Sequence, residues 1–269
     1  MLALRPAAHR NCMIQESQPA VDRDPAKVRP MFDRIAGRYD LANHLLSGGA
    51  DFWWRHRASE IVRQWRPPRL LDLATGSGDL ALAIQRKIPE TEITGADFSA
   101  EMLTIARGKG LANTIVADAL QLPFADASFD AVTVAFGLRN MADWGATLRE
   151  MARILTRNGH LLVLDFSLPQ GPLRRPYQFY LHRCLPRIAS VVTGEREAYD
   201  YLGASIEKFP SGAAMLALLE KSGFAERRST PLTGGIATIY LASKPPPPNE
   251  KRESPPTARS WARVQDPPE

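Results

Sequence analysis

Three carboxylates and a glycine turn carry the chemistry legible in this chain. In LLDLATGSGDLALAI (70–84) an apolar run contains Asp72, Gly76-Ser77-Gly78 makes a turn, and Asp79 opens a helical pattern. Glycines at this spacing let the backbone turn sharply and come close to a ligand. GSGDLA formally fits the G-x-G-x-x-G/A dinucleotide fingerprint. A diphosphate, however, is served by helix-start amides with no carboxylate nearby. Asp72 and Asp79 would repel it and would suit a ligand bearing an ammonium and a sulfonium. For Asp79 the plainer alternative is a helix N-terminal charge, worth a few tenths of a kcal/mol.

The next acid, Asp97, stands 21 residues after Gly76, at the end of a second apolar run. There a carboxylate can accept hydrogen bonds from both hydroxyls of a ribose. The alternative is a helix cap, and Asp97-Phe98-Ser99 leaves Ser99 available for that. A third run ends in Asp118-Ala119. An Asp there can accept from an adenine amino group, with the next amide facing the ring nitrogen. If the three runs are parallel strands, Asp72, Asp97 and Asp118 line one crevice at their carboxyl ends.

The elements that would position these acids follow from periodicity. Strands are expected at 69–74, 91–97, 114–117, 130–136 and 160–166, with helices at about 78–88, 99–109 and 143–156 between them. Repeated strand–helix units mean a parallel α/β sheet with helices on both faces. A helix at about 211–222 precedes two strands, 224–230 and 236–243, whose short connection makes them antiparallel. A parallel sheet closed by such a hairpin looks like the seven-stranded, Rossmann-like sheet of class I methyltransferases. Residues 168–210 interrupt the last unit and hold Tyr177, Tyr180, Tyr199 and Tyr201. With 30–60 they are expected to form a helical lid on a domain spanning 28–243. Residues 1–27 read as mobile. The stretch from Lys244 holds 8 of the 22 prolines and reads as disordered.

Composition sets the outer limits. No apolar run approaches the roughly 20 residues that span a bilayer, and the first 20 residues lack a secretory apolar core. Two cysteines, Cys12 and Cys184, make neither a metal cluster nor a disulfide framework, so a cytoplasmic setting and no metal are expected. Net charge is +5 with no block of like charges; residues 1–69 carry the whole excess, 12 Lys+Arg against 7 Asp+Glu. Solvated arginines on helices explain that without a nucleic acid, and a mild attraction to an anionic surface is compatible with it.

Five stretches in order resemble the ubiquinone/menaquinone biosynthesis C-methyltransferases: FDRIAGRYDLANHLLSGGADFWWR (32–55), DLATGSGD (72–79), AFGLRN (135–140), RILTRNGHLLVLDFS (153–167) and AYDYLGASIEKFP (198–210). The resemblance covers about 30–244. It departs from the family pattern at Asp51, where a histidine is usual, at Ala135, where a serine is usual, and at Thr156-Arg157-Asn158, where the family has Lys-Pro-Gly.

The resemblance implies S-adenosylmethionine as cofactor and ring C-methylation of a reduced polyprenyl quinone, demethylmenaquinol or a ubiquinol precursor. Cofactor contacts are then expected from Asp72, Gly76, Ser77, Gly78, Asp97, Asp118 and Ala119. Asp40 and His44 are candidate bases, and Arg139 a candidate stabiliser of a phenolate. Tyr39, Asn43, Asn140, Tyr177, Tyr199 and Tyr201 are candidate substrate contacts. Such a substrate implies at least a transient visit to a membrane surface, and a homo-oligomer is left open. The competing readings are a methyltransferase for another small molecule, an RNA or DNA methyltransferase, a nicotinamide oxidoreductase and a non-catalytic cofactor-binding module.

Overall fold

The computed structural model describes residues 47–185, 187 and 196–246. Seven strands form one sheet: β1 (Arg69–Leu73), β2 (Glu92–Asp97), β3 (Asn113–Val116), β4 (Phe129–Ala135), β5 (Leu155–Phe166), β6 (Ala225–Leu232) and β7 (Ala237–Ser243). Their order is β3-β2-β1-β4-β5-β7-β6. The first five are parallel, and β7 runs antiparallel between β5 and β6. The order reverses between β1 and β4, and that is where an open α/β sheet forms its crevice. The fold expected from the strand–helix alternation and the closing hairpin is the one observed.

Side-chain alternation along the strands assigns the two faces. Leu162, Leu164 and Phe166 of β5 pack with helices α1 (Ala50–Trp65), α2 (Asp79–Gln85) and α3 (Ala100–Gly108). Leu161 and Val163 point the other way, against α4 (Trp144–Ile154) and α7 (Ala213–Lys221). After β5 the chain adds α5 (Arg174–Phe179), continued by a π-helical turn to Cys184, and then α6 (Arg196–Lys208). Tyr177, Leu181, Leu202 and Ile206 of this insertion join the α1 side of the core.

Two elements differ from the sequence expectation. Residues 50–60, expected as part of a lid, begin a sixteen-residue helix whose Trp54, Ala58, Ile61 and Val62 are buried against the sheet. These positions follow a helical spacing, but the aromatic and arginine-dense FWWRHR masks it. The second difference is at β5, which starts at Leu155 rather than about 160, because the chain pairs Leu155 with Phe129 before a register shift. Asn158, within this strand, adopts a φ of 59°.

The crevice depends on two adjacent strand ends parting. Ala74, after β1, has φ 51°, and Phe136, after β4, has φ 57°. Non-glycine residues adopt this region rarely. The two ends touch as they diverge: a Cβ on Gly137 would lie 2.5 Å from the Ala74 Cβ. Gly137→Ala is therefore expected to cost about 1–3 kcal/mol, read as a lowered urea midpoint. A midpoint equal to wild type would show that the two ends can separate freely.

Candidate active site

The glycine turn is held from below and from the side. Asp72, only 1% exposed, accepts hydrogen bonds from Thr75 Oγ1 (2.7 Å) and from Thr133 Oγ1 (2.6 Å). Thr133 is its register partner on β4, so the carboxylate spans the two strands that flank the crevice. The Ala81 amide in the first turn of α2 also favours the charged form. The helix's own N-cap, Gly78, offers no side chain, so Asp72 supplies the negative charge that a helix start attracts. Burial outweighs these partners and raises its pKa to about 6.

Asp97 closes the turn from the side. Its Oδ2 accepts from the Gly76 amide at 2.9 Å and its Oδ1 from the Ser99 amide at 3.0 Å. Two backbone donors fix the carboxylate plane at the tip of β2. The capping of α3 falls to Ser99, whose hydroxyl accepts from the Met102 amide at 3.3 Å. Gly76 (φ 55°) and Gly78 (φ 85°) sit where a side chain would strain the backbone. Ser77 is buried between them.

The third tip adjoins the second. Val116 is the register partner of Asp97, and the Ala117 amide donates to the Asp97 carbonyl at 2.9 Å. Beyond it, exposed Asp118 folds a tight turn by accepting the Leu120 amide on Oδ1 at 2.9 Å. Exposed Val116 and Leu120 flank Asp118 and Ala119. A diol acceptor beside an apolar rim with an amide and a carboxylate fits an adenosine group. Asp72, Asp97 and Asp118 do gather at the ends of neighbouring strands, but at different depths.

Several candidate residues stand elsewhere than expected. Asp72 lies under the turn rather than on its open side. Asp79 is paired with Lys109 at 2.8 Å, so its charge is already countered. Arg139 is 1% exposed; it holds Asp165 Oδ1 at 2.8 Å and donates to the Phe136 carbonyl. Its guanidinium also lies over the Phe166 ring, 5.2 Å from the centroid. Burial raises the Asp165 pKa despite that arginine. Arg139 thus ties the loop after β4 to the end of β5. Asn140 donates from Nδ2 to the Phe136 carbonyl at 3.4 Å, while its buried Oδ1 has no hydrogen-bond partner among the described residues.

Sequence reading missed the aromatic floor beside the crevice. Trp54, Phe136 and Phe166 pack with centroids 4.8–6.1 Å apart. Arg55 lies over Phe136 at 5.2 Å and pairs with buried Asp51, which also accepts from Ser47 Oγ at 2.7 Å. Asp51, the departure from the family's histidine, is therefore half of an ion pair. Tyr177 joins the cluster as buried core, and its hydroxyl has no hydrogen-bond partner among the described residues. Burial first, then Tyr180, pushes that hydroxyl's pKa up. Tyr199 and Tyr201 lie on α6, with side chains outside the described set; Tyr39, Asp40, Asn43 and His44 lie outside the described residues altogether.

The sheet, the glycine turn and the carboxylates at the adjoining strand ends define a class I S-adenosylmethionine-dependent methyltransferase. Solved structures agree on the fold: a human N-acetylserotonin methyltransferase in complex with S-adenosylmethionine matches at a TM-score of 0.57 and 19% identity, over 83% of this chain and 60% of that one. A possible histamine N-methyltransferase of Thermotoga maritima matches at 0.54 and 20%, over 81% and 99%. Within that class the chain belongs to the ubiE/COQ5 methyltransferase family, whose pattern it matches over residues 20–244. It is 46% identical over 221 residues to a demethylmenaquinone methyltransferase of Thermus thermophilus, across 80% of this chain and 100% of that protein. It is 41% identical over 227 residues to a ubiquinone/menaquinone biosynthesis C-methyltransferase UbiE of Geotalea uraniireducens, across 81% and 96%.

The buried carboxylate yields a pH prediction. The fold raises the Asp72 pKa from 3.8 to about 6. Its contribution to stability is therefore full below about pH 4 and lost as pH rises through about 6. The stability difference between wild type and Asp72→Asn should shift against wild type by on the order of 2–3 kcal/mol between pH 4 and pH 7. Denaturant unfolding across that range measures it. A difference independent of pH would mean that Asp72 does not titrate there.

Proposed function

We propose that the chain transfers the methyl group of S-adenosylmethionine to a ring carbon of a reduced polyprenyl quinone, a demethylmenaquinol or the corresponding ubiquinol precursor. The observation that carries the substrate is the 46% identity across the whole of a protein named for that reaction. The geometry is compatible with it: a buried aromatic cluster, Trp54, Phe136 and Phe166, stands at the same strand ends as the glycine turn.

In this reading Asp97 accepts both ribose hydroxyls, its plane held by Gly76 and Ser99. Asp118 and the Ala119 amide take the adenine edge, with Val116 and Leu120 against its faces. Gly76, Ser77 and Gly78 admit the amino-acid end, and Asp72 acts through Thr75 to hold that turn. S-adenosylmethionine supplies a methyl already carried by a good leaving group, so the chain's task is alignment. Holding two reactants in line accounts for several kcal/mol of barrier reduction.

Trp54, Phe136 and Phe166, fully buried, back the strand ends and hold them rigid beneath the ring. The Asn140 Oδ1 and the Tyr177 hydroxyl, two of the buried polar atoms that have no hydrogen-bond partner among the described residues, orient the quinol oxygens. A buried polar group without a partner costs roughly 1–3 kcal/mol, which a hydrogen bond to substrate would recover. Asp40 or His44 takes the ring hydroxyl proton, which raises electron density at the adjacent carbon. Tyr39 covers the cofactor and Asn43 orients the ring, while Tyr199 and Tyr201 contribute from α6. A bilayer-borne substrate brings the chain to the inner membrane face.

The cofactor and substrate halves are tested separately. Asp97→Ala should weaken S-adenosylmethionine binding about a hundredfold or more by calorimetry, with the circular dichroism spectrum unchanged. Affinity equal to wild type would remove Asp97 from the site. Labelled S-adenosylmethionine should pass its methyl to reduced demethylmenaquinone, its ubiquinol-branch analogue, or both. Label in neither product would refute the substrate assignment.

A further inference from the structure

Two groups of exposed apolar side chains stand at the end of the sheet that holds the aromatic cluster. Trp53 of α1 is 49% exposed and Phe52 63%; Leu173 and Phe179, in the insertion after β5, are 54% and 64% exposed. The two groups lie at one end of the molecule. Helix α1 runs opposite to the strands: Trp65 near its end stacks on His160 at the start of the parallel pairing of β5, and Trp54 near its beginning meets Phe166 at the end of β5. The insertion leaves β5 at that same end. Both groups also meet one turn: Trp54 Nε1 donates to Thr233 Oγ1 at 2.9 Å, and the Leu173 Cδ1 approaches the adjacent Gly234 so closely that a Cβ there would lie 3.1 Å away.

The charge on the insertion side of this end is mostly positive. Residues 166–194 contain four arginines, Arg174, Arg175, Arg183 and Arg187, and no Asp or Glu. All four are exposed. On α1, Arg57 lies over the Trp53 ring at 6.0 Å. Among the described side chains of α6, Glu207 meets α5 and its continuation; it is held by Gln178 at 2.9 Å and by His182 at 3.0 Å, and Arg174 also acts on it. Aromatic side chains flanked by arginines suit the boundary between headgroups and acyl chains, where rings bury and guanidiniums meet phosphates.

From this arrangement we infer that this end docks on an anionic lipid bilayer, with Trp53, Leu173 and Phe179 entering the interface and Arg174, Arg175 and Arg183 on the headgroups. The inference rests on the quinol reading for its purpose, since it sets the parted strand ends toward the phase in which a polyprenyl chain dissolves. A second copy of this chain would bring arginine against arginine across a two-fold axis, which disfavours self-association as the occupant.

Sedimentation of the full chain with vesicles tests the docking without any substrate. The chain should pellet with mixed phosphatidylglycerol–phosphatidylcholine vesicles, and weakly with phosphatidylcholine alone. Binding should fall steeply toward about 1 M salt, where the screening length is about 3 Å. Arg174→Gln with Arg175→Gln should reduce partitioning roughly twenty- to thirtyfold, and Trp53→Ser with Phe179→Ser about tenfold or more. The arginine pair tests the surface even if the aromatic pair unfolds, because all four substituted side chains are solvent-facing and circular dichroism checks each variant. Methyl transfer to a short-chain, water-soluble quinol should stay at the wild-type level in the arginine variant, while transfer to a long-chain quinol in vesicles falls. Wild-type binding by both variants would overturn the docking surface. So would absence of vesicle binding together with a variant-sensitive dimer in light scattering. Vesicle binding that depends on these residues, with no methyl transfer to any quinol, would uphold the surface and refute the substrate.

Discussion

A single carboxylate buried between two threonine hydroxyls governs the geometry of the site. Asp72 reaches Thr133 across the strand pair and Thr75 in the turn above. It thereby fixes how far β1 and β4 separate at their ends and how the glycine turn sits over that gap. Burying the charge opposes its own ionisation, as the raised pKa records. Every neighbouring feature depends on the same gap: the left-handed backbone at Ala74 and Phe136, the contact that admits only glycine at 137, and the Gly76 amide presented to Asp97.

A second charged pair does comparable work one strand away. Arg139 and Asp165 neutralise each other under the loop that follows β4. Arg55 and Asp51 do so at the start of α1. The two guanidiniums cover opposite members of one packed ring pair, Phe136 and Phe166. The rings are thus held by cations whose charge is already answered.

Much of this was legible in the sequence because parallel strands, buried on both faces, read as short apolar runs. Asp97 and Asp118 were placed at strand ends from spacing alone, and both stand there. What eluded sequence reasoning was depth and direction. Asp72 and Asp97 look equivalent in the chain, yet one faces into the sheet and the other meets the turn. Arg139 sits in a loop motif that suggests contact with substrate, while its partner Asp165 lies 26 residues on, within an apolar strand. An acid inside LLVLDF was itself a signal of a buried ion pair. The start of α1 was hidden by its aromatic and basic composition, although its buried positions keep a helical period.

The reversed direction of β7 has a practical corollary. Ser243, its last residue, pairs with His160, at the opposite pole of the sheet from the parted strand ends. A label, fusion partner or solid support joined just after that strand would therefore attach at the molecule's far side. Immobilised in that way, the enzyme would keep its catalytic entrance open to whatever is presented to it.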